Sequence, residues 1–281
     1  MYIRSVLCLG SDTREIRHYY PTRRSGKGSG GRERSKEEIQ RDNDRKRARY
    51  VRHLISLNFQ PGDWHLVLRY PKGRHPKTYE EAQERLGYFL TMMRTVYKAA
   101  GLPFKYIAVT ERGKRGNNLH HHLIIEDIDQ DGADGIRTTK LVKQIWPGTS
   151  GWFDLYEEGG FQELADYLVK KESKEELGKG KSSYSASRNL IRPRAIKHPV
   201  FKRTWDREPK APKGWYVIKQ TVLNATIKET GQPYQRYTIK RAQKPKPPEG
   251  KKGLFKRFIG KIAEKWRKRP ERMKKWKRES Q

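Results

Sequence analysis

Between residues 61 and 175 the spacing of apolar positions changes period several times, and each change marks an element. "WHLVLRY" (residues 64–70) is a short apolar run entered through the turn chemistry of "QPGD", which predicts a strand. "TYEEAQERLGYFLTMMRTVYKAAG" (78–101) repeats apolar residues at helical spacing and stops at a glycine, which predicts a helix. "FKYIAVTE" (104–111) and "LHHHLIIE" (119–126) read as two strands joined by the loop "RGKRGNN". "TTKLVKQIW" (138–146) is a short helix ended by Pro147 and Gly148, "GWFDLYE" (151–157) a fourth strand, and "FQELADYLVKKES" (161–173) a closing helix. The order β-α-β-β-α-β-α predicts an α+β domain: a ferredoxin-like antiparallel sheet with flanking helices.

The flanks are less regular. "RRSGKGSGGRER" (23–34) is a Gly/Ser-rich basic linker, followed by a helix opened by Ser35 with Glu38 three residues on. Its apolar positions Val51, Leu54, Ile55 and Phe59 fall at helical spacing. "KEELGKGKSSYSASRN" (174–189) is polar and small, and residues 214–241 predict two or three short strands with turns at "NAT" and "TGQP". "KPKPPEG" (244–250) is a linker, and the residues after it form a basic tail with partly helical spacing. These shifts divide the chain into a basic N-terminal extension (1–60), a central domain (61–175), a basic accessory region (176–245) and a basic C-terminal segment (246–281).

Charge narrows the class of partner. Sixty-four Lys and Arg stand against 32 Asp and Glu, a formal net charge of +32 over 281 residues. Such an excess selects a polyanion, nucleic acid before an anionic membrane. Cys8 is the single cysteine, so no intramolecular disulfide forms. No apolar run has the length of a membrane span, and a soluble cytoplasmic protein is expected. "ELGKGKSS" lacks the first glycine of a phosphate-binding loop, so no helicase activity is expected of the chain itself.

The chemistry centres on His120, His121 and His122. On a strand His120 and His122 share one face, while His121 joins Leu119, Leu123 and Ile125 on the other. Two imidazoles two residues apart can ligate one divalent cation if a third ligand converges on them. Glu111 ends the preceding strand across the hairpin, and its carboxylate suits Mg²⁺ or Mn²⁺. His121 is expected simply to fill the strand. Such pairs also occur as packed or surface imidazoles, and the three residues alone leave that open. In the closing helix Phe161, Leu164, Ala165 and Leu168 form an apolar stripe, with Tyr167 off it and Lys170 one turn later. Beside a metal, Tyr167 becomes a candidate nucleophile toward a phosphodiester, and Lys170 a cation that assists it. Arg112, Lys114, Arg115 and Lys171 are candidate DNA phosphate contacts around the same place.

The His-x-His strand, the preceding strand ending in Glu111, and "YLVK" as Tyr-x-x-Lys resemble the motifs of the HUH endonuclease superfamily. The likeness is to the single-tyrosine rolling-circle replication initiators of plasmids, single-stranded DNA viruses and phage-like elements. "NFQPGDWHLVLRYP" and "YIAVTERGKRGNNLHHHLII" carry it, and it runs from about residue 58 to 172. The resemblance implies Glu111, His120 and His122 as ligands of Mg²⁺ or Mn²⁺, Tyr167 as nucleophile and Lys170 as its helper. It also implies single-stranded origin DNA in a hairpin as substrate, with a host helicase and polymerase as partners. His121 departs from the pattern, which has a bulky hydrophobe at that position. A conjugative relaxase or a single-tyrosine transposase shares the chemistry, and a non-enzymatic nucleic-acid-binding module is the reading from another class.

Overall fold

The computed structural model describes residues 1–21, 35–113, 118–128, 137–155, 161–169, 184–227 and 230–242. It is an α+β chain with antiparallel sheets and, among the described residues, four helices. The elements are β1 (Tyr2–Cys8), β2 (Thr13–Tyr19), α1 (Lys36–Asn58), β3 (Trp64–Arg69), α2 (Tyr79–Ala99), β4 (Tyr106–Arg112), β5 (Leu119–Ile125), α3 (Thr138–Ile145), β6 (Thr149–Asp154), α4 (Gln162–Leu168), β7 (Ser185–Ala186), β8 (Ala195–Val200), β9 (Trp215–Thr226) and β10 (Pro233–Arg241). The chain forms two compact units, one from Met1–Asn43 with Arg192–Gly250 and the other built on Asp44–Ile191. Among the described residues no helix is long and apolar enough to cross a membrane.

In the second unit the strands lie in the order β6-β3-β5-β4-β7, and every neighbouring pair is antiparallel. The helices and strands from β3 to α4 follow one another in the order expected from the apolar spacing. Strand alternation supplies the sheet with two cores. Leu66, Leu68, Ala108, Leu123 and Ile125 pack with Phe89 and Met93 of α2 and Val142 and Ile145 of α3. Ile107, Val109 and Ile124 pack with Val51, Leu54 and Ile55 of α1 and Ala165 and Leu168 of α4. Each Leu, Ile, Val, Phe or Met among them, fully withdrawn from water, contributes about 1.5–3 kcal/mol.

Local chemistry sets the ends of these helices. Ser35 and Glu38 bond each other's backbone N–H at 3.2 and 3.1 Å, which closes a capping box at the start of α1. Thr78 caps α2 by accepting from the Glu81 N–H at 3.2 Å. At the start of β6, a side chain on Gly148 would meet the Arg69 carbonyl oxygen at 1.9 Å, so only glycine lets the chain pass the end of β3.

The first unit is the less legible one. Its sheet has the order β8-β1-β2-β10-β9, again antiparallel throughout. Strands of the N-terminal extension therefore pair with strands of the accessory region, two segments that sequence composition separates. The second half of α1, from Ala48 onward, is buried in the other unit's core, so the serial boundary at residue 60 does not follow the contacts. The turn expected at "NAT" is absent: β9 runs on through Asn224 and Ala225. There the Asn224 side chain bonds the Arg207 carbonyl and accepts from Gln235 of the neighbouring strand, so its polar groups are met within the sheet.

Candidate metal centre and tyrosine

Register brings the site together. In the ladder between β4 and β5, Glu111 lies opposite His120 and Val109 opposite His122. Because Glu111 and Val109 are two residues apart, the carboxylate shares a face with both imidazoles. The carboxylate oxygen Oε2 of Glu111 stands 3.2 Å from Nε2 of His122 and 4.0 Å from Nε2 of His120. The two Nε2 atoms are 3.0 Å apart, and the ligand atoms of all three residues lie within 4.8 Å of one another.

The partners of the outer ring nitrogens bear on which tautomer each imidazole takes. Nδ1 of His120 is 3.3 Å from the carbonyl oxygen of Asn118, which can only accept, so Nδ1 carries the proton and Nε2 keeps its lone pair. The hairpin holds that carbonyl in place, since Asn118 also accepts the Gly113 N–H at 2.9 Å. Nδ1 of His122 is 3.1 Å from Nε2 of His65 on β3. In the neutral tautomer that donates from Nδ1 to His65, Nε2 of His122 carries a lone pair. Burial, aided by the charge of His122, brings the His65 imidazole down to about 4, so it stays neutral and able to accept. Burial also lowers His120, again with His122 as the second cause. For Glu111, burial acts upward but is outweighed by the hydrogen bond and charge of His122 and a hydrogen bond from Tyr167, and the carboxyl lies below its ordinary value. Two imidazoles and a carboxylate converge on one point, a donor set that could hold a divalent cation.

The fourth participant arrives from 45 residues away. The hydroxyl of Tyr167 on α4 is 3.2 Å from Nε2 of His122, and the two rings meet edge-on at 5.1 Å. α4 is held by Ala165 and Leu168, both buried, and by Phe161, which precedes the helix. Phe161 has a left-handed backbone (φ 62°), costly for a non-glycine residue, and its ring is 3% exposed. Anchoring of that ring in the core opposes the strain and fixes where α4 begins.

His121 turns the other way, as expected, but does more than fill the strand. It is fully buried and bonded at both ring nitrogens: Nδ1 to Oγ1 of Thr110 at 2.8 Å and Nε2 to the hydroxyl of Tyr70 at 2.5 Å. Gln83 of α2 donates to the same Thr110 oxygen at 2.6 Å, and the Tyr70 hydroxyl reaches the Ala82 carbonyl at 3.4 Å. One tautomer satisfies every group. Gln83 donates to Thr110, Thr110 to Nδ1, and the Nε2–H to Tyr70, which donates to Ala82. Burial, with the charges of His120 and His122, takes His121 down to about 3.

Glu111, His120, His122 and Tyr167 are thus brought together. Arg112 follows Glu111 in β4, half-buried and paired in register with Leu119. Lys114, Arg115, Lys170 and Lys171 lie outside the described residues. His65 was missed by sequence reasoning, although it stands in "HLVLRYP". Its only signal was a third histidine on a strand of matching parity, and strand order decides whether such a residue meets the pair.

Comparison with known proteins found one family match. Residues 63–176 match the ORF2-type family of replication-associated proteins. The matched segment contains β3, β4, β5 and α4, and with them the three-residue cluster and Tyr167. The match supports a replication initiator family. No curated protein and no solved structure matches the chain.

Proposed function

We propose that the chain is a rolling-circle replication initiator of the single-tyrosine HUH type, which nicks single-stranded origin DNA and rejoins strands through a 5′-phosphotyrosine. The observation that carries this reading is the Tyr167 hydroxyl, 3.2 Å from His122 within the Glu111, His120 and His122 cluster. The strand order β6-β3-β5-β4, antiparallel throughout, supports the ferredoxin-like arrangement expected of such a domain.

A divalent cation held by Glu111, His120 and His122, Mg²⁺ or Mn²⁺ by the mixed oxygen and nitrogen donors, supplies Lewis-acid polarisation of the scissile phosphate when bound. The protein's own groups do the rest. Tyr167 provides the attacking oxygen. Its O–P bond forms as the bond from phosphorus to the 3′-oxygen breaks, the phenolic proton is lost to water, and the 3′-oxygen takes up a proton to become the hydroxyl that a host polymerase extends. Reversal uses the same atoms, so no nucleoside triphosphate is consumed. His65 holds His122 in the tautomer that leaves Nε2 bare, and Glu111 gives the site negative charge. Lys170, three residues after Tyr167, is assigned the role of a cation beside the phosphate. Arg112, Lys114, Arg115 and Lys171 are assigned backbone contacts on the flanking nucleotides.

The deciding experiment uses an origin oligonucleotide labelled 3′ of the nick, incubated with the full chain and Mn²⁺. Transfer of label to the protein, mapped to Tyr167 by peptide mass spectrometry and absent from Tyr167→Phe, is the expected result. An adduct that persists in the Phe variant, or that maps to Tyr184 or Tyr156, overturns the assignment.

A further inference from the structure

The sheet of the first unit has a face that the nicking chemistry does not use. On β2 and β10, Arg17 lies directly opposite Arg236, and two residues along the strands Tyr19 lies directly opposite Tyr234. These four share a face, since the intervening register pair, His18 with Gln235, points the other way. On that other face Ile16, Tyr237 and Ile239 form a buried cluster, while on the face of the arginines Ser5 and Glu15 are buried and Arg17, Arg236, Tyr19 and Tyr234 are partly open. The cationic row continues across β1 to β8, where Ser5 lies opposite both Arg17 and Lys197.

Like charges directly opposite one another weaken a strand pair, so this arrangement works against folding. Only part of the cost is offset. Arg17 pairs with Glu15 in its own strand at 2.5 Å, whereas Arg236 and Lys197 have no carboxylate partner among the described residues. The Arg17, Arg236, Tyr19 and Tyr234 side chains are all half-buried, and Lys197 is exposed. Two tyrosines opposite each other in register, beside a row of cations about 7 Å away along the strands, match one polymer's repeating chemistry. A nucleotide presents a flat base and, within the same reach, a phosphate.

We propose that this face is a second nucleic-acid site, on which single-stranded DNA stacks bases against Tyr19 and Tyr234 and sets phosphates on Arg17, Arg236 and Lys197. Stacking demands bases free of their partners, which selects single strands over duplex. Guanidinium groups suit phosphate oxygens and carry no sequence information, so the site binds with little sequence preference. The inference rests on the reading that the chain acts on DNA, and it gives the initiator a place to hold strand that the tyrosine is not cutting.

The test uses the full chain with fluorescent dT12 in anisotropy titrations. Tyr234→Leu and Tyr19→Leu are each expected to weaken binding about 5- to 100-fold, whereas Tyr234→Phe, which keeps the ring, should bind as wild type. Arg236→Gln should reduce the slope of log affinity against log salt by about 0.7. With iodouracil in the oligonucleotide, crosslinks are expected on peptides containing Tyr19 or Tyr234, a readout that needs no variant. Crosslinks confined to other peptides, or Leu variants that fold and bind as wild type, overturn the proposal. So does a face whose Arg236→Gln variant loses phosphatidylserine vesicles but not dT12. Formation of the Tyr167 adduct is scored separately. Its absence beside Tyr234-dependent binding refutes the nickase alone, and its presence beside unchanged binding refutes the second site alone.

Discussion

The two faces of β5 carry the same residue type to opposite ends. On one, the Nε2 atoms of His120 and His122 stand 3.0 Å apart before the Glu111 carboxylate, with the Tyr167 hydroxyl beside them. On the other, His121 has both nitrogens bonded to protein and none of its surface in water. The side chain does not determine which fate applies. Coverage does: Tyr70, Thr110 and Gln83 close over His121 with matched donors and acceptors, whereas the face toward α4 gathers His65, Tyr167 and Glu111 around two imidazoles whose Nε2 atoms lie 3.0 Å apart. An imidazole is structural where its neighbours satisfy it and available for chemistry where they do not.

The sharpest way to break this comparison is to remove one histidine from each face. His122→Ala should bring nicking in Mn²⁺ below detection with little change in stability, and Mn²⁺ should no longer raise the melting temperature. His121→Phe should retain the Mn²⁺-induced rise in melting temperature. Equal loss of metal response in both variants would end the division of roles.

Stability should show the reverse ranking. His121→Phe removes a partner from the buried Tyr70 and Thr110 hydroxyls and inserts a bulkier ring, a cost of roughly 2–4 kcal/mol in denaturant unfolding. His120→Ala, on the more open side, should cost less than about 1 kcal/mol. If His121→Phe unfolds at the wild-type midpoint, the hydrogen-bonded chain behind β5 is not stabilising.

Smaller effects test the supporting residues. His65→Ala leaves the three ligands but frees the His122 ring, and Mn²⁺ affinity measured by calorimetry should fall about 10- to 100-fold. An unchanged affinity would mean that His65 does not orient the ligand. Smallest is Gln83→Met, which removes the outermost bond of the chain behind His121 and should cost about 1 kcal/mol with metal binding intact.

Much of the second unit was legible from residue order because its signals are local. Helical spacing and the alternation through residues 119–125 each depend on neighbours within a few positions. The hairpin joining β4 to β5 is short, so Glu111 had few registers in which to meet His120 and His122. The same locality hid the first unit. β1 and β2 are brief strands whose partners β8 and β10 lie well over a hundred residues away, and nothing near them in sequence names those partners.

The amino-acid sequence by itself determined that His120 and His122 share one face of β5 while His121 takes the other, and that Tyr167 lies off the apolar stripe of α4. Only the tertiary structure decided that β3 neighbours β5, which sets His65 against His122, and that α4 docks where the Tyr167 hydroxyl reaches the same nitrogen. The reason is physical. Side-chain direction follows from backbone periodicity within one element, whereas the meeting of side chains across elements depends on strand order and on packing summed over the whole core.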